Sequence, residues 1–337
     1  MALSRADWPI TAALLQFDGV RADGSRAQDA PQSEWLNAFQ EVADAGFTHV
    51  DLTDGWVRAG DLDSARLDEL KAAYTEAGLE APAISAIRRS VIDAEHGDEN
   101  LAYSHRTLDA AAQLGVGVVS FGLHQALTPE QQRQLWFWTV DGHKDPVGDK
   151  AMWSKAVDRL TELGRHAADL GIVMTLEMYE DTYLGTGDSA VQLVRDIGLY
   201  NVGLNPDIGN LVRLHRPIES WRELLHKVLP YTNYWHVKNY FRDEDPERGT
   251  YVALPAPMEF GIINYRQAVK EAISFGFQGM FCTEHYGGDG LSVSATNRDY
   301  LRRILPESSD YDVPASLVAQ NAGDVRAHVT GTSNAAS

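Results

Sequence analysis

GIVMTLEMYEDTYLGTGDSAVQLVRDIGLYNVGLNPD, residues 171–207, reads as one complete strand–helix–strand unit. Residues 172–179 form a short apolar run of strand length. Residues 189–197 read as a helix, and Gly198 stands where the chain must turn with positive φ to leave it. Residues 202–206 begin the next strand. Two strands joined through a helix are parallel neighbours, which need cover on both faces.

The unit recurs in both directions. Upstream, apolar strand segments at 10–17, 49–52, 81–87 and 116–121 alternate with helical segments at 32–46, 62–77, 100–114 and 152–170. Downstream, the helix at 218–229 leads to a strand at 234–238, a helix at 265–275, a strand at 279–284 and a last helix at 293–304. Gly46, Gly78, Gly115, Gly171 and Gly276 repeat the punctuation seen at Gly198. Eight such units predict an α/β fold, a closed (β/α)8 TIM barrel, more readily than an open sheet. Residues 1–306 are expected to form this single catalytic domain. No GxGxxG or Walker pattern speaks for a nucleotide-binding sheet. Long insertions at 123–150, after strand four, and 239–260, after strand seven, are βα loops and belong on the catalytic face. The polar segment 307–337, ending GTSNAAS, is expected to be a tail, disordered or packed on a partner.

Composition narrows the function classes. The 48 acidic and 29 basic residues leave a formal charge of −19, which argues against nucleic acid and anionic membranes as partners. One cysteine, Cys282, rules out an internal disulfide and suits a reducing cytosol. No apolar run approaches the roughly 20 residues needed to span a bilayer. Asp7, Trp8 and Pro9 interrupt the region where a signal peptide would be apolar, so a cytoplasmic protein is expected.

Chemistry enters through strand parity, because alternate residues of a strand share a face. In VMTLEMY, Met174, Leu176 and Met178 suit the helix layer, which turns Thr175, Glu177 and Tyr179 inward. The same parity turns inward Gly203, Asn205 and Asp207, then Tyr234, His236 and Lys238, then Met280, Cys282 and Glu284. Each of the last four strands thus ends in one inward ligand-type residue: Glu177, Asp207, His236 or Glu284. Three carboxylates buried together would repel, and burying each ion costs several kcal/mol. One divalent cation removes the conflict. Three oxygen donors and an imidazole suit Mn²⁺ foremost, or Mg²⁺, with Zn²⁺ or Co²⁺ as further options.

The segments TLEMYED, GLNPDIGN, YWHVKNY and GIINYRQAVKEAISFGFQGMFCTEHYGG resemble the sugar isomerase/epimerase (xylose isomerase-like) TIM-barrel superfamily, which holds xylose isomerase, ketose 3-epimerases and an endonuclease branch. The resemblance covers most of residues 10–305 and implies that Glu177, Asp207, His236 and Glu284 are the metal ligands. Two positions depart from the family pattern. Asn210 stands where several members carry a histidine, and Tyr183 where ketose epimerases carry a sugar-gripping glutamate.

The insertion QLWFWTVDGHKDPVGDKAMW is the least family-like segment. It sets Trp136, Phe137, Trp138 and Trp153 around His143, beside Lys144 and Asp145. Exposed aromatics on this face would suit a flat ligand; otherwise they form a small satellite core or a subunit contact. With this loop the chain resembles the alpha subunit of bacterial C-glycoside deglycosidases, which cleave the sugar–aglycone carbon–carbon bond of 3-oxo-C-glycosides and pair with a small β-sandwich beta subunit. The resemblance implies a glycoside substrate, a hetero-oligomer and enolisation at C2. Glu177 or Glu284 would be the base and His143 the acid/base at the aglycone, with Lys238, Asn205, Trp136, Trp138 and Tyr179 contacting sugar or aglycone. The same quartet equally serves a sugar isomerase or ketose 3-epimerase. An endonuclease is disfavoured by charge, and a barrel reduced to an assembly subunit would have no reason to keep a metal.

Overall fold

The computed structural model describes residues 2–331. Seven parallel strands, β1 (Ile10–Ala13), β2 (His49–Thr53), β3 (Glu80–Ser85), β4 (Val118–Phe121), β5 (Val173–Glu177), β6 (Val202–Asn205) and β7 (Tyr234–Val237), precede an inserted hairpin, β8 (Asn239–Asp245) and β9 (Thr250–Ala256). The eighth barrel strand is therefore β10 (Met280–Thr283), which lies between β1 and β7. The sheet runs β6-β5-β4-β3-β2-β1-β10-β7. Between β6 and β7 the ladder shrinks to a Leu204–Thr232 bridge and an Asn233 N–H donated to the Leu204 carbonyl at 3.1 Å. Side chains complete the closure: Asn205 Oδ1 accepts from the His236 N–H at 2.7 Å, and Asn233 Nδ2 donates to the Met174 carbonyl at 3.1 Å.

Helices α1 (Gln32–Asp44), α2 (Ser64–Glu76), α3 (Gly97–Leu114), α4 (Pro129–Gln132), α5 (Lys150–Asp169), α6 (Gly187–Ile197), α7 (Gly209–Val212), α8 (Trp221–Val228), α9 (Tyr265–Ser274) and α10 (Gly290–Ile304) follow in order. In α6 the Thr186 hydroxyl caps the first turn through the Ser189 N–H, and Ala190, Val191, Leu193, Val194 and Ile197 face the sheet. Gly198 ends it at φ 65°, and the other five predicted glycines also have positive φ.

Parity separates the core into two parts. Met174, Leu176, Leu204, Trp235, Val237 and Phe281 join the helix layer. Ala13, Ala83, Val118, Val173, Tyr234 and Cys282 form a second cluster inside the barrel. Two residues from the C-terminal segment, Ala319 and Val325, complete that inner cluster. The segment assigned from its polarity to a tail thus carries a helix, α11 (Ala322–Val329), against the barrel's own N-terminal end. Ala319 donates to the Tyr200 carbonyl at 2.8 Å, and Gln320 Nε2 to the Gly276 carbonyl at 2.9 Å. Composition hid this because a few small apolar residues, Ala319 and Val325, suffice to close a narrow barrel end. The part of that tail beyond residue 331 lies outside the described residues. The insertion expected as a βα loop at 239–260 folds as a hairpin, whose alternation in sequence is masked by the acidic run Asp243, Glu244 and Asp245. Among the described residues no helix is long and apolar enough to cross a membrane.

Candidate metal centre

β5 delivers Glu177 at its last residue. β6 delivers Asp207 two residues past its end, where Pro206 stops the ladder and the Asp207 N–H turns back to the Asn205 carbonyl at 2.8 Å. β7 delivers His236, and Glu284 follows β10 directly. All four are buried. One ligand atom each from Glu177, Asp207 and His236 lies within 4.8 Å of the other two, and Glu284 Oε2 lies 3.8 Å from His236 Nδ1. The four residues singled out by parity therefore meet at one place.

Their neighbours set the charge. Lys238, also buried, brings its ammonium to Asp207 and Glu284. Gly209 gives its stem room, because a Cβ there would come within 2.4 Å of Lys238 Cγ. Asn210 Nδ2 lies 3.1 Å from Glu177 Oε1, 3.1 Å from Asp207 Oδ2 and 3.0 Å from the Met178 carbonyl, tying two carboxylates to the backbone. Three carboxylates against one ammonium leave two negative charges uncompensated in a buried site. Burial pushes the Glu177 pKa up, with Asp207 adding to the rise and His236 and Lys238 opposing it. Burial likewise lowers that of Lys238, against the pull of Asp207.

Asp51, from β2, was not singled out in the sequence. Its Oδ2 accepts from Ser85 Oγ at 2.8 Å and Tyr234 Oη at 2.5 Å, and lies 3.5 Å from His236 Nε2. Ser85 Oγ is itself 3.2 Å from that nitrogen. This arrangement fixes the imidazole with its Nε2–H toward Asp51 and Ser85, leaving Nδ1 as a lone pair at the carboxylates. Burial opposes a proton on His236, yet Asp51, Glu177 and Asp207 together push its pKa above the ordinary value. The signal for Asp51 was present: in HVDLT an acid sits between two apolar residues on the inward parity.

The residues fit a divalent cation. His236 Nδ1 and Asp207 Oδ1 are buried without a hydrogen-bond partner, which is costly unless something else satisfies them. An oxygen-rich set with one imidazole, anchored from behind by a carboxylate, is a donor set for a hard or borderline ion.

The remaining predicted site residues divide. Asn205 is fully buried; its Oδ1 serves the β6–β7 seam, while its Nδ2 has no hydrogen-bond partner. Tyr179 borders the carboxylate cluster, receives Arg88 Nη2 on its hydroxyl at 3.1 Å and stacks on His124 at 4.5 Å. Trp136 stacks on Trp138 at 5.1 Å, and Trp138 packs edge-on against Tyr240 and Tyr286. Trp138 is buried in the main core and Trp136 and Phe137 are half-buried against it, so the insertion packs down across the barrel mouth. At its centre the fully buried Arg213 pairs with both Glu180 oxygens at 3.1 Å, beneath Phe137, Trp138, Tyr179 and Tyr286. Trp153 turns away, donating to Asp196 at 2.8 Å. Tyr183 also points elsewhere, to the Pro146 carbonyl.

His143 is exposed and lines a cavity of about 120 Å³ that adjoins the carboxylate cluster. Arg88, His124 and Tyr179 border both spaces. His124 is buried, with Nδ1 unpartnered; burial, and then the positive charge of Arg88, Arg213 and Lys238, hold its pKa well below the ordinary value. Neither it nor Arg88 was legible, because both follow the ends of strands with nothing in their spacing to mark them.

The sequence model of the family described as Xylose isomerase-like TIM barrel matches residues 39–304. A Xylose isomerase-like TIM barrel protein from Mycobacterium smegmatis, crystallised in complex with magnesium, is 46% identical, with a TM-score of 0.86 over 91% of this chain and 99% of that one. D-psicose 3-epimerase from Clostridium cellulolyticum H10 (15% identity, TM-score 0.62) and 3-keto-D-glucoside 4-epimerase from E. coli (17%, 0.61) each match over 88% of this chain and 99% of theirs, and share the fold. Among curated proteins none matches significantly.

Proposed function

The chain belongs to the xylose isomerase-like TIM barrel family, and from that premise we propose that it is a metal-dependent sugar enzyme that enolises its substrate beside a carbonyl and expels the aglycone of a 3-oxo-C-glycoside. The observation that carries the reading is the convergence of Glu177, Asp207, His236 and Glu284 with His236 Nδ1 and Asp207 Oδ1 left unpartnered. Those four would hold the ion, Mn²⁺ or Mg²⁺, which supplies Lewis-acid stabilisation of negative charge developing at a carbonyl oxygen.

The chain's own groups handle the protons. Glu177 or Glu284 takes the C2 proton, and the C–H electron pair moves toward the C3 carbonyl. As the C3 carbonyl re-forms, a C1=C2 double bond forms and drives out the C1 substituent: the C1–aglycone bond breaks, its electrons leave on the aglycone carbon, and that carbon takes up one proton, balancing the one removed from C2. Lys238 keeps Asp207 and Glu284 in place while Asn205 holds the β7 backbone beneath His236. The adjoining cavity favours a glycoside, because a free ketose has nothing to put there. His143, on its rim, is the group assigned to the aglycone hydroxyl. Trp136 stacks on Trp138 to brace the loop, and Trp138 lines the cavity that would take the aglycone. A small β-sandwich partner belongs to this reading, and exposed Phe241, Val252 and Leu254 on the hairpin would suit such a contact.

Incubation of the Mn²⁺-loaded protein in D₂O with a 3-oxo-C-glycoside, and separately with free ketoses, tests both levels. Deuterium entry at C2 with aglycone release supports the proposal; Glu177→Gln should abolish exchange, and His143→Ala should stop release while metal content is unchanged. Exchange with a free ketose and no release would make the enzyme an epimerase or isomerase. No exchange with any of them, with or without the co-expressed small subunit, would refute enolisation.

A further inference from the structure

Outside the barrel, α3 and α5 place His105 and His166 ring to ring, with centroids 5.0 Å apart. Their Nδ1 atoms face one another at 2.9 Å. His105 Nε2 lies 2.9 Å from Glu162 Oε1, and His166 Nε2 lies 3.1 Å from Asp109 Oδ1. Both rings are about a quarter exposed, so solutes reach them.

Two neutral imidazoles bring two hydrogens, and ionised carboxylates bring none. With each Nε2–H turned to its carboxylate, both Nδ1 lone pairs are left for a cation, which one added proton or a metal ion supplies. An imidazole whose far nitrogen is held by a carboxylate, leaving the near nitrogen as a free donor, is the arrangement by which histidine ligates metal. The spacing agrees: two cis ligands with bonds of about 2.05 Å at a right angle lie about 2.9 Å apart.

We infer that His105 and His166 form a transition-metal site on the outer face, taking Ni²⁺, Cu²⁺ or Zn²⁺ through both Nδ1 atoms, with Glu162 and Asp109 orienting the rings. Nitrogen donors separate it from the oxygen-rich barrel centre, where Mg²⁺ or Mn²⁺ is expected. The two sites are thus distinguishable by metal. It does not depend on the reaction proposed above.

The test is a calorimetric titration of the full chain with Ni²⁺ or Zn²⁺ in excess Mg²⁺, paired with Cu²⁺ absorption and electron paramagnetic resonance. Wild type should take up one equivalent more than His105→Ala or His166→Ala, and the nitrogen-ligated Cu²⁺ signal should vanish in both. Glu162→Gln and Asp109→Asn keep the ligands and should weaken binding by about 10–100-fold. Those two variants leave the helices intact and keep the test decisive if an alanine variant folds badly. Equal stoichiometry in wild type and the alanine variants, or unchanged affinity in the carboxylate variants, overturns the site.

Discussion

Arg213→Met probes how the insertion is held over the barrel mouth. The guanidinium is fully buried, donates to both oxygens of Glu180 at 3.1 Å and sits 4.8–5.7 Å from the ring centroids of Phe137, Trp138, Tyr179 and Tyr286. Methionine fills much of the volume, so the cavity term is small. What remains is a buried Glu180 carboxylate without its cation, a loss of about 3–5 kcal/mol. The ring contacts add about 1 kcal/mol. Urea denaturation followed by tryptophan fluorescence reads the loss directly, since Trp138 lies in the same cluster. The double variant Arg213→Met/Glu180→Leu removes the stranded charge and should recover most of the stability. A loss below about 1 kcal/mol in the single variant, or no recovery in the double, would refute the account of this cluster.

Three other outcomes follow from the structure. Asp51→Asn weakens the anchor of His236 Nε2 and should reduce affinity for the barrel ion by about 10–100-fold, read by isothermal titration with Mn²⁺. Asp145, pushed by burial from 3.8 up to about 6, is harder to ionise folded than unfolded; its contribution to stability is present below about pH 4 and lost as pH rises through 6. Asp145→Asn should therefore remove a decline of about 2–3 kcal/mol between those values, read by urea denaturation across that range. Val325→Asp places a charge in the closed N-terminal end of the barrel and should cost about 2–4 kcal/mol by thermal or urea unfolding, while Mn²⁺ still binds at the mouth.

The barrel and its four converging polar side chains were readable because both rest on strict periodicities. Alternation within a strand assigned Glu177, Asp207, His236 and Glu284 to the interior, and helix-ending glycines marked every return to the sheet but the one into β7. What stayed hidden depends on tertiary placement. Asp51 acts through His236 across the barrel, Arg213 meets Glu180 only where the segments after β6 and β5 come together, and Trp138 packs against Tyr240 and Tyr286 from a loop whose sequence left its partners open. His124 enters the site because Gly122 lets the chain pass it, since a Cβ there would lie 2.6 Å from the His124 ring. The segment expected as a tail closes the barrel instead, because a narrow barrel end needs few apolar side chains to fill it.

The central claim is that one ion belongs among the carboxylates of Glu177, Asp207 and Glu284 and the Nδ1 of His236. A crystal structure of the Mn²⁺-loaded protein with anomalous diffraction at the manganese edge tests it most directly. One fully occupied peak touching all four side chains, lost in Asp207→Asn, is the predicted result. A mouth that stays free of anomalous signal at saturating Mn²⁺, with Lys238 still bridging Asp207 and Glu284, would contradict it.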